Sequence, residues 1–200
     1  MRKLLIPALV LAATAAQAQD PAAAPVHEDG PGPNMVIEVA AADGTAKGTI
    51  TLDLLADTAP NHVARLVELA KSGAYDGVVF HRVIEDFMVQ TGDVEHGKRD
   101  GQTVAMAGTG GSDLPDLEAE FSDVSFDAGI VGMARAQDPN SANSQFFIDL
   151  APATFLDGQY TVVGRLVDGW DVLNGIKKGD GGANGAVDQP DYMARVTIVE

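Results

Sequence analysis

One arginine stands in a stretch that is otherwise rich in large apolar side chains. Residues 80–93 read FHRVIEDFMVQTGD, with Arg82 among Phe80, Val83, Ile84, Phe87, Met88 and Val89. Burying a guanidinium is costly unless its donors are paired, so this cation either forms a structural ion pair or is directed at a ligand. An apolar surface with such a fork of donors suits a mainly hydrophobic ligand that has a carbonyl to hold.

A second polar side chain, the amide of Gln90, follows in the same stretch. If residues 78–84 and 87–91 are strands, residues of equal parity share one face of the sheet. Arg82 and His81 then have opposite parity, which favours His81 as a core or hydrogen-bonded histidine over a catalytic base. Structural alternatives exist for the other residues as well. Arg82 could pair with Glu85, Asp86 or Glu120, and strand residues such as Phe87, Phe147 and Leu156 could be ordinary core.

Other chemical motifs fail on inspection. The glycines of AGTGGSD lack the Lys-Ser/Thr of a phosphate-binding loop, and no GxSxG motif or cysteine offers a nucleophile. GDGGANGAVD lacks the ordered acidic ligands of a calcium loop. The histidines follow no metal-ligand spacing; they are His27, His62, His81 and His96. The sequence therefore predicts no metal and no cofactor.

The first 18 residues have the features of a secretory signal peptide. A basic start at Arg2 and Lys3 precedes an apolar run from Leu4 to Ala13, and Ala16-Gln17-Ala18 supplies a cleavage site. The run is too short for a membrane anchor, and a first core helix is also disfavoured. We expect cleavage after Ala18, a mature protein that is not held in a membrane, and localisation to the periplasm.

The charge of the chain limits its partners. Loss of Arg2 and Lys3 takes the formal charge from −16 to −18, so nucleic acid and anionic membrane surfaces should repel the mature protein. The chain has no cysteine, so its fold cannot rely on disulfides. We take a monomer as the default state.

The remaining chain divides into a linker and one domain. Residues 19–34 are rich in Ala, Pro, Gly and acid and predict a disordered linker, while 35–200 form the domain. The domain should begin with a hairpin over 35–40 and 48–55. A helix capped by Asp57 or Thr58 follows and ends at Ser72-Gly73, and a short second helix lies within 168–177. Further strands are predicted within 78–84, 87–92, 129–135, 144–150, 160–167 and 192–199, a pattern that favours a mainly β barrel over alternating β and α units.

These segments, in this order, resemble the cyclophilin-type peptidyl-prolyl cis-trans isomerases. The resemblance spans essentially 35–200 and rests on FHRVIEDFMVQTGD, AGTGG, GIVGMARA, NSQFFI and FLDGQYTVVGRLVDGWDVL. It implies a closed eight-stranded antiparallel β-barrel with two capping α-helices. It also implies rotation about X-Pro peptide bonds as the reaction, with no cofactor, and proline-containing peptides and unfolded exported proteins as partners.

The resemblance also assigns site residues. The essential arginine of the family falls on Arg82, with Phe87 and Gln90 completing the predicted catalytic set. Substrate contacts are implied around the proline pocket and in the neighbouring groove that receives the residues before proline. They fall on Met88, Gly108, Thr109, Ala134, Arg135, Ala136, Gln145, Phe147, Leu156 and Tyr160.

Three departures from the eukaryotic pattern affect ligand choice. Phe155 stands where cyclosporin-sensitive members have tryptophan, so we expect weak cyclosporin binding. Tyr160 and Arg135 replace a frequent histidine and asparagine, a combination that looks more like bacterial periplasmic members. Two other functions stay open: a non-catalytic module that grips proline-containing chains, and a barrel that binds a small molecule. The many large apolar strand residues disfavour the second, because they predict a filled interior.

Overall fold

The computed structural model describes residues 27–102 and 104–200. The predicted signal peptide and the first part of the predicted linker lie outside these residues. Residues 27–33, which the sequence assigned to the disordered linker, lie against the domain. Nε2 of His27 is 2.8 Å from the carbonyl oxygen of Ala128, and the amide of Gly30 donates to Asp53. The segment next to the domain therefore has specific partners that its composition did not indicate.

The described residues form eight strands in one antiparallel sheet. The first two form the predicted hairpin, and the others match the predicted segments, although several are shorter. Their bounds are β1 Asn34–Ala40, β2 Ala46–Leu54, β3 Arg82–Ile84, β4 Met88–Thr91, β5 Ile130–Met133, β6 Phe146–Asp149, β7 Val162–Asp168 and β8 Tyr192–Val199. The order across the sheet is β3-β4-β6-β5-β7-β2-β1-β8.

The sheet forms a half-barrel, and the prediction of a closed barrel is wrong in this respect. Its edge strands β3 and β8 share no ladder. Residues just before β3 do bond to β8, since the amide of Gly77 donates to Met193 at 2.7 Å. Beyond that point a different segment lies beside β3, because the amide of Val83 donates to the carbonyl of Gly185 at 2.8 Å. The loop before β8 thus occupies the edge of β3 and keeps the sheet open.

Within residues 27–102 and 104–200 two α-helices cap the sheet, α1 over Pro60–Lys71 and α2 over Trp170–Asn174. Short 3-10 turns cover Val104–Met106, Thr154–Leu156 and Gly181–Ala183. Helix α1 has Ala59 as its N-cap and no side-chain cap there, contrary to the predicted capping by Asp57 or Thr58. The carboxylate of Glu120 instead accepts from the amides of Asn61 and His62 at 3.2 and 3.0 Å. A negative charge suits a helix N-terminus, so a distant residue supplies the cap.

The described residues form three apolar clusters, two of which lie on opposite faces of the sheet. The larger of these two fills the half-barrel and includes Ile37, Leu52, Phe80, Val89 and Phe146. The smaller one lies on the opposite face of β4 and β6, around Met88, Phe126, Phe147, Leu156 and Val162. Within the described part of the chain, neither helix is long and apolar enough to cross a bilayer. The smaller cluster is the one that supports the candidate site.

Candidate active site

The candidate site begins as a row of residues across neighbouring strands. In the register of the sheet Arg82 on β3 lies opposite Gln90 on β4, and Gln90 lies opposite Phe147 on β6. The row continues through Gly132 on β5 to Val162 on β7. Directly opposed residues in antiparallel strands have Cβ atoms about 4.5–5.5 Å apart, so the sheet alone brings the guanidinium, the amide and the ring together.

Four contacts hold the Arg82 guanidinium in place. Its Nη1 donates to Oε1 of Gln90 at 3.1 Å and lies 3.7 Å from the sulfur of Met88. On the other side Nε donates to the carbonyl of Asn184 at 3.0 Å, and Nη2 donates to Oδ1 of Asn184 at 3.1 Å. Over the described chain no carboxylate forms a salt bridge with Arg82. The structural ion pair with Glu85, Asp86 or Glu120 is therefore absent there.

The cation remains charged despite its partial burial. Desolvation lowers the pKa of Arg82 from its ordinary value, while the nearby Tyr160 opposes that shift. The ordinary pKa of arginine lies far above neutral pH, so the guanidinium still carries its proton at pH 7. The fold thus presents a fixed, partly desolvated positive charge. In this apolar setting its electrostatic interaction with a ligand is stronger than it would be in water.

A relay of amides extends from the guanidinium into the neighbouring loop. Nε2 of Gln90 donates to Oε1 of Gln145 at 3.0 Å, and Nε2 of Gln145 donates to the carbonyl of Gly110 at 2.8 Å. Each amide is committed on both sides, so its orientation is fixed. The relay couples the position of Arg82 to the loop that follows residue 107.

A small pocket of about 130 Å³ lies beside the guanidinium. The ring of Phe147 stacks on Phe126 at 5.8 Å and meets Tyr160 edge-on at 5.8 Å. The lining is mostly apolar and consists of Arg82, Phe87, Met88, Gln90, Ala134, Arg135, Phe147, Leu156 and Tyr160. An apolar cup of this kind with one donor at its rim suits a small ring attached to a carbonyl.

A larger cavity of about 420 Å³ adjoins the small pocket and shares Gln90, Ala134 and Arg135 with it. Asp93, fully buried, shapes its wall: its Oδ2 accepts from the amides of Gly108 and Gly110 at 2.7 and 2.9 Å. Burial acts to raise the pKa of Asp93, but the backbone donors outweigh it and hold that pKa below its usual value. A buried carboxylate thus organises the loop over the cavity.

All thirteen residues predicted for the site line these two adjoining spaces. The small pocket contains the residues named above, and the larger cavity adds Gly108, Thr109, Ala136 and Gln145. Phe147 and Leu156 are buried, with 6% and 8% of their surface exposed, as expected for core residues. Both also line the small pocket. The structure brings the residues together; their roles in catalysis stay predictions.

Several neighbours of the site were not predicted from the sequence. Asn184, in the loop before β8, holds Arg82 and was not among the predicted site residues. Asn184 has a φ of +55° and is followed by Gly185 at +80°, and an Asn-Gly pair is a signal for such a turn. Also missed were Asp93 and the cavity residues Glu95, Gly110, Gly111, Ser112, Asp116, Ser141, Asn143 and Ser144.

His81 borders the site from the side away from the small pocket. Neither ring nitrogen has a hydrogen-bond partner of normal geometry among the described residues. Burial lowers the pKa of His81 to about 4, although Asp93 and the Val79 backbone both act to raise it. The imidazole is therefore neutral at pH 7. In the described ranges no group of three or more His, Asp or Glu side chains is placed to hold a metal ion.

Comparison with protein families gives one match over most of the chain. The model of the cyclophilin type peptidyl-prolyl cis-trans isomerase/CLD family matches residues 36–198. A probable peptidyl-prolyl cis-trans isomerase of Brucella suis is 56% identical over 152 residues, which cover 76% of this chain and 78% of that protein. The peptidyl-prolyl cis-trans isomerase-like 1 of Mus musculus is 38% identical over 144 residues, covering 72% and 79%.

Solved structures show the same fold. The cyclophilin AquaCyp293 from Hirschia baltica superposes with a TM-score of 0.66 at 25% identity, covering 82% of this chain and 73% of that one. A cyclophilin type peptidyl-prolyl cis-trans isomerase from Cryptosporidium parvum, crystallised in the presence of the dipeptide Ala-Pro, gives a TM-score of 0.67 at 24% identity. This superposition covers 84% of this chain and 99% of that chain.

Proposed function

The chain belongs to the cyclophilin-type peptidyl-prolyl cis-trans isomerases, and on that premise we propose that it rotates X-Pro bonds in exported proteins with Arg82 as the group that stabilises the twisted amide. The observation that carries the proposal is the placement of Arg82. Its guanidinium is fixed on one side by Gln90 and on the other by Asn184, at the rim of the small apolar pocket.

The reaction needs neither a nucleophile nor a proton acceptor. Resonance holds an X-Pro amide close to planar behind a barrier of about 18–20 kcal/mol. At the top of that barrier the C–N bond is twisted and the lone pair on the prolyl nitrogen is no longer shared with the carbonyl. A fixed donor that reaches this nitrogen interacts more strongly with the twisted state than with the planar one, and only such a difference accelerates the step.

The pocket supplies the second part of the mechanism. Phe87, Met88, Phe147 and Leu156 hold the prolyl ring, while the preceding carbonyl turns under the guanidinium. Holding one side of the bond while the other rotates converts binding energy into rotation about a single bond. A rate gain of five powers of ten needs only about 7 kcal/mol, at about 1.4 kcal/mol for each power. One charge-assisted hydrogen bond, desolvation and orientation together are of that order.

The biological setting follows from the N-terminal sequence. A basic start, an apolar run and an Ala-x-Ala site favour export to the periplasm. Unfolded exported proteins are then the substrates, and the enzyme assists their folding by removing a slow step that takes tens of seconds unaided. A monomer suffices for this mechanism, because every side chain it uses comes from one chain.

The test is exchange NMR on a short X-Pro peptide with catalytic amounts of mature protein. We expect cis-trans exchange with the wild type, and a loss of at least a hundredfold in Arg82→Ala, because the donor to the twisted amide is gone. Arg82→Lys keeps the charge but not the fork that Gln90 and Asn184 hold, so it should recover only a small part. Glu118→Gln, an exposed change, serves as the control. No exchange with folded wild type would refute the proposal.

A second candidate is a module that grips proline-containing chains without turnover. The same pocket supports it, because an apolar cup with a donor binds proline whether or not the bond rotates. In that case Arg82→Ala would keep its protection of unfolded chains against aggregation. Peptide binding without exchange in the wild type would favour this candidate over the isomerase.

A further inference from the structure

The larger cavity has room for more than the peptide backbone. At about 420 Å³ it is roughly three times the size of the small pocket of about 130 Å³, and the two share Gln90, Ala134 and Arg135. A peptide whose proline sits in the small pocket continues over this shared wall. Extended chain advances about 3.3–3.6 Å per residue, so the side chain of the second or third residue before proline reaches the cavity.

Two carboxylates line this cavity, Glu95 and Asp116. Oε2 of Glu95 accepts only a long bond of 3.4 Å from the amide of Gly111, and Oε1 lies 3.5 Å from Nε2 of His96. Asp116 accepts from Nδ2 of Asn143 through Oδ1 at 2.9 Å. In the described chain no lysine or arginine forms a salt bridge with either group. Their negative charge is therefore open to a ligand.

Arg135 also lines the cavity, but its donors are committed elsewhere. Nε and Nη2 donate to the carbonyl of Gln159 at 3.2 and 2.9 Å, and Nη1 donates to the carbonyls of Ala136 and Gln137 at 2.9 and 3.3 Å. Its guanidinium also lies 4.4 Å from the centre of the Tyr160 ring. Four of the five N–H donors of Arg135 are thus used within the protein, so no pair of donors is left to clamp an acidic side chain.

We propose that Glu95 and Asp116 make this cavity selective for a lysine or arginine two or three residues before the proline. The inference rests on the proposed isomerase function and names its substrate class. A long basic side chain can lay its methylene stem along the wall and bring its charge to the carboxylates. The strongly acidic protein also attracts basic chains at longer range.

The test compares kcat/KM for peptides that differ at one position. Two peptide sets carry Lys, Ala or Glu at the second or the third residue before proline. We expect Lys to exceed Glu by about threefold to tenfold in at least one set, the range that one or two partly exposed ion pairs give. Because exposed charges are screened by salt, the ratio should fall towards one when ionic strength rises from about 50 to about 500 mM.

Variants locate the selectivity. Glu95→Gln and Asp116→Asn should each lower the Lys-to-Glu ratio, and the double variant should bring it close to one. Glu118→Gln, on the same loop but outside the cavity lining, should keep the wild-type ratio. Equal rates for Lys and Glu peptides, or a ratio unchanged by Glu95→Gln and by salt, would overturn the inference and leave the isomerase intact. If no peptide is isomerised, the proposed function itself fails.

Discussion

Asn184 holds Arg82 from 102 residues further along the chain, with Nε donating to its carbonyl at 3.0 Å and Nη2 to its Oδ1 at 3.1 Å. The left-handed φ of +55° at Asn184 turns both oxygens towards the guanidinium. This loop also occupies the edge of β3. The same loop therefore lies along the edge of β3 and orients the principal cation of the site.

Asn184→Gly should lower kcat/KM by about threefold to tenfold. Glycine keeps the left-handed backbone and the carbonyl bond but loses the bond to Oδ1, which has a typical worth of about 0.5–1.5 kcal/mol. If Arg82 acts in the transition state, the loss falls mainly on kcat and KM changes little. Asn184→Asp keeps an acceptor oxygen at this position and should restore most of the activity. A glycine variant as active as the wild type would contradict the positioning role.

Asp93→Asn should destabilise the protein by about 2–4 kcal/mol and weaken peptide binding. The buried carboxylate accepts four backbone bonds, from Glu95, His96, Gly108 and Gly110. An amide presents its NH₂ to two of those donors, so the loop over the larger cavity loses its anchor. Urea unfolding of this variant beside the exposed Asp113→Asn measures the cost.

The difference in unfolding free energy between the wild type and Asp93→Asn should depend on pH. Because the pKa of Asp93 is lowered in the folded protein, its stabilisation is present above the unfolded pKa and disappears as pH falls through the folded one. The gap in stability between wild type and Asp93→Asn should thus narrow in acid. A gap that stays constant down to about pH 2 would mean that the carboxylate charge does not matter.

Gly132→Ala should close the small pocket. Gly132 lies opposite Phe147 in the sheet, and a Cβ there would come within 2.4 Å of Cζ of Phe147 and 2.7 Å of Cε1 of Phe126. Those stacked rings must shift, and overpacking of this kind costs about 1–3 kcal/mol. We expect a rise in KM together with a lower unfolding midpoint. A variant with wild-type KM would show that the rings can yield without narrowing the pocket.

Because of Asp149, the free energy of unfolding should fall as pH rises. Its side chain is fully buried, neither oxygen has a partner among the described residues, and burial raises its pKa to about 8. The folded state keeps a proton that the unfolded state releases near pH 4. The stability contributed by this group is then complete below pH 4 and falls by up to about 1.4 kcal/mol per unit up to pH 8.

Asp149→Val should remove that decline and be more stable than the wild type at pH 8. His81 acts in the opposite direction, because its pKa is lowered to about 4 in the folded protein. The informative quantity is therefore the difference between variant and wild type in urea unfolding at about pH 5 and about pH 8. An exposed change, Asp188→Asn, should show no such difference. A valine variant that is less stable at both pH values would contradict the prediction.

Phe155→Trp should increase the affinity for cyclosporin by about tenfold, since an added indole donor is worth roughly 1–1.5 kcal/mol. Phe155 is 64% exposed and packs against Phe87 with ring centroids 5.6 Å apart. A larger ring can therefore be accommodated at this edge of the pocket without disturbing the core. Calorimetric titration of both proteins measures the gain, and equal affinities would contradict the prediction.

Local patterns in the sequence predict the elements and thirteen of the residues that line the two adjoining spaces. Alternating apolar residues in β1 and β2, and the ordered motifs around Arg82, Gln90 and Phe147, are local patterns, so strands, helices and the isomerase family could be inferred from them. The family resemblance is confirmed by the match over residues 36–198. The predicted export, the linker before residue 27 and the catalytic roles await experiment.

Contacts between residues far apart in the sequence could be identified only from the fold. Glu120 caps α1, Asn184 fixes Arg82, and Asp93 anchors Gly108 and Gly110. The open edge between β3 and β8 also could not be predicted from the sequence. The loop that lies against β3 has no periodic pattern that would indicate this contact. Such contacts depend on where the chain returns after long loops, and the composition of a loop does not encode its partner. Local patterns thus specify the strands, whereas the pairing of loops with side chains arises from packing.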